Sequence, residues 1–204
     1  MSGARVGILA SGRGSNFAAL DAAMRSGEVP AEVVVVLSNR ADAGVLELAA
    51  SRGIPAHAIT STDRLEREQG LIAALRQAQV EWVCLAGYMR LLGPDFVRAF
   101  PRRILNIHPS LLPAFPGLDA QAQAVEHGVV VSGCTVHFVD EGLDTGPIVG
   151  QAAVPVLPED DAANLAARIL VAEHQLYPTS LRRLLTEPWR LDGRRVRWES
   201  GVVA

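Results

Sequence analysis

The 204-residue chain contains no lysine: all 19 of its basic residues are arginine. That absence excludes a Walker A phosphate loop, a pyridoxal phosphate Schiff base and any catalytic lysine amine. Nineteen arginines against 22 aspartates and glutamates leave a formal charge of −3. A mildly acidic chain argues against general nucleic-acid binding, which needs a basic surface. Cysteine is equally scarce. Cys84 and Cys134 each lie inside an apolar stretch and read as buried core thiols, not as a disulfide scaffold. No apolar run reaches the ~18 residues a membrane span needs, and the N-terminus has no signal-peptide layout. The expectation is a cytoplasmic chain with no membrane or nucleic-acid partner. HExxH, CxxC and zinc-spaced histidine pairs are missing, so no metal site is expected. The absence of a GxSxG elbow argues against a serine hydrolase.

What is present is a 49% hydrophobic composition, enough to fold, in an alternating pattern. The first half reads as strand Arg5–Ala10, helix Asn16–Ser26, strand Glu32–Leu37, helix Ala43–Arg52, short strand Ile54–Ile59, helix Asp63–Gln79 and strand Trp82–Gly87. Such alternation predicts a parallel sheet with helices on both faces. The second half changes character. Strand Ile104–Ile107 enters a proline-rich loop, Pro109 to Pro116, and a helix runs from about Leu118 to His127. Two β-rich stretches, Val129–Val139 and Ile148–Val156, flank the polar turn Asp140–Pro147 and look antiparallel. A long helical pattern, Asp161–Leu185, contains Pro178, which is expected to kink or split it. Asp192-Gly193 signals a terminal hairpin within Arg190–Trp198. The expected fold is α/β: a Rossmann-like parallel sheet in residues 1–100, extended to a mixed sheet by residues 101–204, as one domain.

Three segments could carry chemistry. Ser11-Gly12-Arg13-Gly14-Ser15-Asn16 joins a strand to a helix. Glycines allow a sharp turn and the helix start offers free N–H groups, which suits a phosphate. As a dinucleotide fingerprint it is incomplete: the third glycine position is Phe17, and the second strand ends in Ser38-Asn39-Arg40 without an acid for an NAD ribose. A single phosphate, a dinucleotide phosphate near Arg40 and a plain tight turn all remain open. The second segment is Asn106-Ile107-His108. Residues two apart in a strand share a side, so Leu105 and Ile107 can face the core while Asn106 and His108 face a cleft at the strand's carboxyl end. The third is Asp140-Glu141-Gly142-Leu143-Asp144-Thr145-Gly146-Pro147. It is either a solvated hairpin loop or the source of a carboxylate for His108, and spacing does not choose among its three acids. His57, His127, His137 and His174 are isolated and read as structural or exposed. An Asn–His pair with a carboxylate and no protein nucleophile suggests that the substrate supplies the nucleophile.

Four runs in order resemble a known family: Ser11–Asn16, Leu85-Ala86-Gly87-Tyr88-Met89-Arg90, Asn106-Ile107-His108-Pro109-Ser110-Leu111-Leu112-Pro113 and Leu143-Asp144-Thr145-Gly146-Pro147. The chain is similar, over about residues 5–186, to the phosphoribosylglycinamide formyltransferases, folate-dependent enzymes of purine synthesis. The resemblance implies that the amine of glycinamide ribonucleotide attacks the formyl carbon of 10-formyltetrahydrofolate, with no metal. Asn106 matches the residue that hydrogen-bonds the formyl oxygen and His108 the catalytic histidine. Asp144 matches the acid that favours the charged imidazole. Gly14, Ser15 and Asn16 match phosphate-binding positions. Leu170, Val171, Ala172 and Glu173 match the helix segment that meets the ribonucleotide, with Glu173 on a ribose hydroxyl. Met89, Arg90, Leu91 and Leu92, together with Asp140, Glu141, Gly142, Leu143 and Asp144, match the folate pocket, and Arg64 a position near the folate glutamate tail. The chain departs from the family after Pro116-Gly117, where Leu118-Asp119-Ala120-Gln121 replaces a common histidine.

Three other readings compete. A methionyl-tRNA formyltransferase follows the same Asn-x-His core with Trp-Arg-Gly and a tRNA-binding domain, where this chain has Ala114-Phe115-Pro116-Gly117. A formyltetrahydrofolate hydrolase would use water in place of the amine. A non-catalytic nucleotide-binding module would need the glycine loop but not Asn106, His108 and Asp144 together. Small-molecule substrates are the expected partners, and a homodimer is compatible with the sequence.

Overall fold

Residues 3–199 are described from a computed structural model. They form one nine-stranded sheet with helices on both faces. In chain order the elements are β1 (Ala4–Leu9), α1 (Ser15–Arg25), β2 (Ala31–Ser38), α2 (Gly44–Ser51), β3 (Ala56–Ala58), α3 (Arg64–Gln77), β4 (Trp82–Leu85), α4 (Pro94–Ala99), β5 (Ile104–His108), α5 (Ala120–Glu126), β6 (Val131–Phe138), β7 (Ile148–Pro155), α6 (Ala162–Thr186), β8 (Trp189–Asp192) and β9 (Arg195–Trp198). The sheet order is β3-β2-β1-β4-β5-β6-β7-β9-β8. β1 to β5 pair in parallel, β6 is antiparallel to both β5 and β7, and the terminal hairpin joins the edge through a parallel β7–β9 contact.

The two-residue period of the strands divides the core. Val6, Ile8, Val36, Trp82, Cys84, Leu105 and Ile107 face one side, where Phe17 and Leu20 of α1, Ala124 of α5 and Leu165, Ile169 and Tyr177 of α6 cover them. Leu9, Val35, Leu37, Val83, Leu85 and Ile104 face the other, under Leu71 and Leu75 of α3 and Phe96 of α4. Burying each large aliphatic side chain contributes about 1.5–3 kcal/mol before chain entropy is subtracted. Asp63 caps α3 by accepting from the Glu66 N–H at 2.8 Å, and Asp161 caps α6 through the Asn164 N–H at 2.7 Å. Both cysteines are buried and free, and burial pushes each thiol up to about 12, as inert core thiols require.

Two sequence expectations are corrected. Pro178 does not split the last helix: α6 runs without interruption from Ala162 to Thr186 with Pro178 buried inside it. One missing N–H costs less than breaking an apolar face that includes Leu165, Ile169, Tyr177, Leu181 and Leu184. The short α4 is absent from the sequence reading, although Pro94 sits at its first turn, where proline is favoured.

Candidate active site

β5 delivers the chemistry. Leu105 and Ile107 enter the core while Asn106 and His108 turn to the opposite face at the strand's carboxyl end, as the period of two predicts. His108 is 4% exposed. Its Nε2–H donates to the Phe115 carbonyl at 2.8 Å, and its Nδ1 lies 3.4 Å from Asp144 Oδ2. Both ring nitrogens therefore face acceptors, which the doubly protonated ring satisfies. Of the three acids in the loop after β6, only Asp144 reaches the ring. Asp140 instead accepts from the Thr145 hydroxyl at 2.7 Å, and Glu141 pairs with Arg98 at 3.0 Å. Asp144 Oδ2 also accepts from the Gly117 N–H at 2.8 Å. Phe115 and Asp144 both adopt left-handed backbone, with φ of 52° and 53°. Such non-glycine residues cost about 1–3 kcal/mol each and persist where surrounding contacts hold them.

The loop after β5 is clamped from two strands. Thr135 Oγ1 donates to the Ser110 carbonyl at 2.7 Å and accepts from the Leu112 N–H at 3.0 Å. Gln151 Nε2 reaches the Leu112 carbonyl at 2.9 Å and Thr135 Oγ1 at 3.0 Å. These bonds set the course of the segment that carries the Phe115 carbonyl back to His108.

His137 is the residue the sequence reading misses. Read there as isolated, it pairs with Asn106 across the antiparallel β5–β6 ladder. Its Nδ1–H donates to the Phe138 carbonyl at 2.9 Å, so its Nε2 is a lone pair, and that lone pair accepts from Asn106 Nδ2 at 3.1 Å. Asp144 Oδ1 is 3.6 Å from the same nitrogen. Burial holds His137 below the usual histidine range, with a smaller opposing effect from the Phe138 carbonyl. The signal was present: Thr135 and His137 stand two apart in a strand opposite His108 and Asn106, but cross-strand register is a non-local fact.

The glycine loop follows β1, two strands from β5 at the same carboxyl edge of the parallel strands, and meets α6 there. Gly14 is left-handed, φ 87°, and caps α1 with no acid in the helix's first turn, leaving the helix start open to an anion. Asn16 Nδ2 donates to Glu173 Oε2 at 2.7 Å, which joins the two segments matched to a ribonucleotide. Glu173 is buried, and burial raises its carboxyl above the usual range, partly offset by Asn16. Asn16 Oδ1 has no protein partner in the described structure. Leu170 and Ala172 are half-buried, whereas Val171 is 62% exposed.

Ser11 links the glycine loop to the next segment: its hydroxyl accepts from the Met89 N–H at 2.8 Å. Met89, Leu91 and Leu143 are large apolar side chains left exposed, at 62%, 70% and 50%, and Leu92 is half-buried. Arg64 and Arg90 are exposed, and no hydrogen bond among the described residues ties either to Asn106, His108 or Asp144. The Gly93 N–H donates to Glu68 of α3 at 2.8 Å, which anchors the far end of the Met89–Leu92 segment. Surface grooves of about 490 Å³ between α3 and α4 and about 290 Å³ beside His57 share no residue with this cluster. Among the described residues no group of three metal-ligating side chains occurs.

A carboxamide donor, an imidazole and a carboxylate converge on one strand end beside an anion-ready helix start. Such a set can donate to a carbonyl oxygen and balance charge beside it, and none of the three carries a hydroxyl or thiol. Comparison with known proteins agrees: residues 4–181 match the formyl transferase family, and the chain belongs to it. It is 42% identical over 181 residues to the phosphoribosylglycinamide formyltransferase of Bacillus subtilis, covering 87% of this chain and 93% of that one. It is 52% identical over 182 residues to the trifunctional purine biosynthetic protein adenosine-3 of Drosophila pseudoobscura pseudoobscura, of which it spans 13%. The crystal structure of glycinamide ribonucleotide transformylase 1 from Symbiobacterium toebii superposes with a TM-score of 0.94 at 49% identity, covering 98% of this chain and 95% of that one.

Proposed function

We propose that this chain transfers the formyl group of 10-formyltetrahydrofolate to the amine of glycinamide ribonucleotide, releasing tetrahydrofolate. The observation that carries the reading is the convergence of Asn106, His108 and Asp144, with His108 Nδ1 3.4 Å from Asp144, next to the Asn16–Glu173 contact. The amine nitrogen forms a bond to the formyl carbon, and the bond from that carbon to the folate nitrogen breaks. The proton lost by the amine ends on the departing nitrogen. Negative charge develops on the formyl oxygen, to which an Asn106 N–H donates; the His108 imidazolium donates to it once the substrate takes the place of one of the ring's two acceptors, the Phe115 carbonyl or Asp144. One such donor is worth about 2.7–4 kcal/mol in the transition state. Asp144 balances the imidazolium charge, and the ring relays the proton.

The proposed ribonucleotide site has the phosphate on Gly14, Ser15 and Asn16 at the start of α1 and a ribose hydroxyl on Glu173. The pteridine lies against Met89–Leu92 and Asp140–Asp144, held largely by backbone groups, with Arg64 near the glutamate tail. In the test, purified protein is mixed with 10-formyltetrahydrofolate with and without glycinamide ribonucleotide. Turnover that requires the ribonucleotide and yields its formylated form supports the reading. Equal turnover without it makes the protein a hydrolase.

A further inference from the structure

A carboxamide side chain can be turned end for end at little steric cost, yet its two ends have opposite chemistry: the nitrogen donates and the oxygen accepts. A formyl oxygen gaining negative charge needs the nitrogen. Asn106 is half-buried on β5, and its own backbone does not decide which end faces the cleft. The neighbour across the strand pair does.

We propose that His137 is a positioning residue that fixes the orientation of the Asn106 carboxamide and so presents a donor, not an acceptor, to the reacting carbonyl. The argument rests on the formyl-transfer reading for its consequence and on the hydrogen bonds alone for its geometry. The Phe138 carbonyl can only accept, so the hydrogen of His137 sits on Nδ1, 2.9 Å away. Nε2 is then a lone pair 3.1 Å from the Asn106 carboxamide. Only the NH₂ end of that carboxamide can face it. One hydrogen of Nδ2 is held there, and the second stays free for substrate. The reversed carboxamide would set its oxygen against the lone pair on Nε2.

The arrangement holds only while His137 is neutral. The ionisable groups that face it are His108 on β5 and Asp140 and Asp144 on the loop after β6; β7 presents Ile148 opposite it. Protonation would put a hydrogen on Nε2 and reverse the preference of Asn106, turning its oxygen toward His137. Burial of the ring opposes that protonation, with His108 adding to it and the two aspartates working against it. The geometry therefore predicts an acid limb in kcat that belongs to a residue touching neither substrate.

Two variants separate this role from a structural one. Glutamine places its terminal amide near the position of Nε2 and offers an acceptor that does not titrate, whereas phenylalanine fills the space without an acceptor. His137→Gln is expected to keep kcat within about threefold and to move the acid limb of kcat to lower pH. His137→Phe is expected to lose ~10²-fold in kcat, the scale of a mis-set oxyanion donor, while KM for both substrates changes little. Wild-type kcat in the phenylalanine variant, or equal loss in both variants, would overturn the proposal. A readout that needs no substrate is ¹⁵N NMR of the wild-type ring. A hydrogen on Nδ1 and none on Nε2 above neutral pH is expected, and a hydrogen on Nε2 would overturn the proposal even in a fully active enzyme. If the protein proves inactive toward glycinamide ribonucleotide while the ring shows the Nδ1–H form, the formyl-transfer reading fails and the Asn106–His137 geometry stands.

Discussion

Glu173→Gln tests binding and stability with one atom exchanged. The carboxylate is 6% exposed and accepts a single hydrogen bond, from Asn16 at 2.7 Å. Burial raises its pKa above the value of 4.5 expected of the unfolded chain, with Asn16 pulling more weakly the other way. As pH rises past that unfolded value, the unfolded chain releases its proton while the folded one still holds it. Folding stability therefore declines through that window and levels off above the folded pKa. Glutamine has no proton to release and can still accept from Asn16, so the variant lacks this decline. Relative to wild type, Glu173→Gln is expected to gain stability as pH rises above 4.5, read as a difference in urea midpoint that grows and then levels off.

Binding moves the other way. A hydrogen bond to a charged group is worth about 1.5–3 kcal/mol and a neutral one about 0.5–1.5. Where the wild-type carboxylate is ionised, losing its charge thus costs the proposed ribose contact about 1–1.5 kcal/mol. At 1.4 kcal/mol per tenfold, that raises KM for glycinamide ribonucleotide by about 5- to 12-fold and leaves KM for the folate unchanged. Parallel stability profiles for the two proteins would refute the account of burial. A change confined to the folate KM would move Glu173 out of the ribonucleotide site.

His108→Ala is expected to lower kcat by ~10²–10⁴, the range for a positioned acid–base group, with unchanged far-ultraviolet circular dichroism; an unaltered rate removes the ring from the mechanism. Gly14→Ala places a Cβ 2.7 Å from Val45 Cγ2 on a backbone with φ of 87°. Strain of this kind costs about 1–3 kcal/mol, so a lower Tm and a higher ribonucleotide KM are expected, and wild-type values for both would show that the loop relaxes freely.

Much of this was legible in the sequence because it is local. Buried parallel strands appear as apolar runs such as Val33 to Leu37, and the alternation through Leu105, Asn106, Ile107 and His108 already assigns two side chains to the core and two to a cleft. The choice among Asp140, Glu141 and Asp144 was not legible from spacing, because it is made by partners distant in sequence: Arg98 takes Glu141, and the Gly117 N–H holds Asp144. The resemblance to known formyltransferases selects Asp144, the acid that lies 3.4 Å from His108. His137 escaped for the same reason. Its significance depends on the β5–β6 register, which places it opposite Asn106, 31 positions earlier. Pro178 does not split α6, because local propensity speaks for one residue while the apolar face speaks for the whole helix.

Two imidazoles flank one carboxylate in this site, and their chemical difference is set by the Asn106 carboxamide at the remaining nitrogen of one of them, not by the acid. Asp144 lies 3.4 Å from a nitrogen of His108 and 3.6 Å from a nitrogen of His137, so proximity to the acid does not distinguish them. Nor do their second nitrogens. Each donates to a main-chain carbonyl, Phe115 for His108 and Phe138 for His137. For His108 this leaves Nδ1 facing the carboxylate with no competing donor, a place for a proton. For His137 it leaves Nε2 facing a carboxamide N–H at 3.1 Å, a place already filled by someone else's hydrogen. One ring is thereby suited to carry charge and the other to stay neutral and hold a donor in line. The strained Phe115 backbone, φ 52°, is what turns its carbonyl toward His108, which connects the conformation of the loop after β5 to the division of labour between the two histidines.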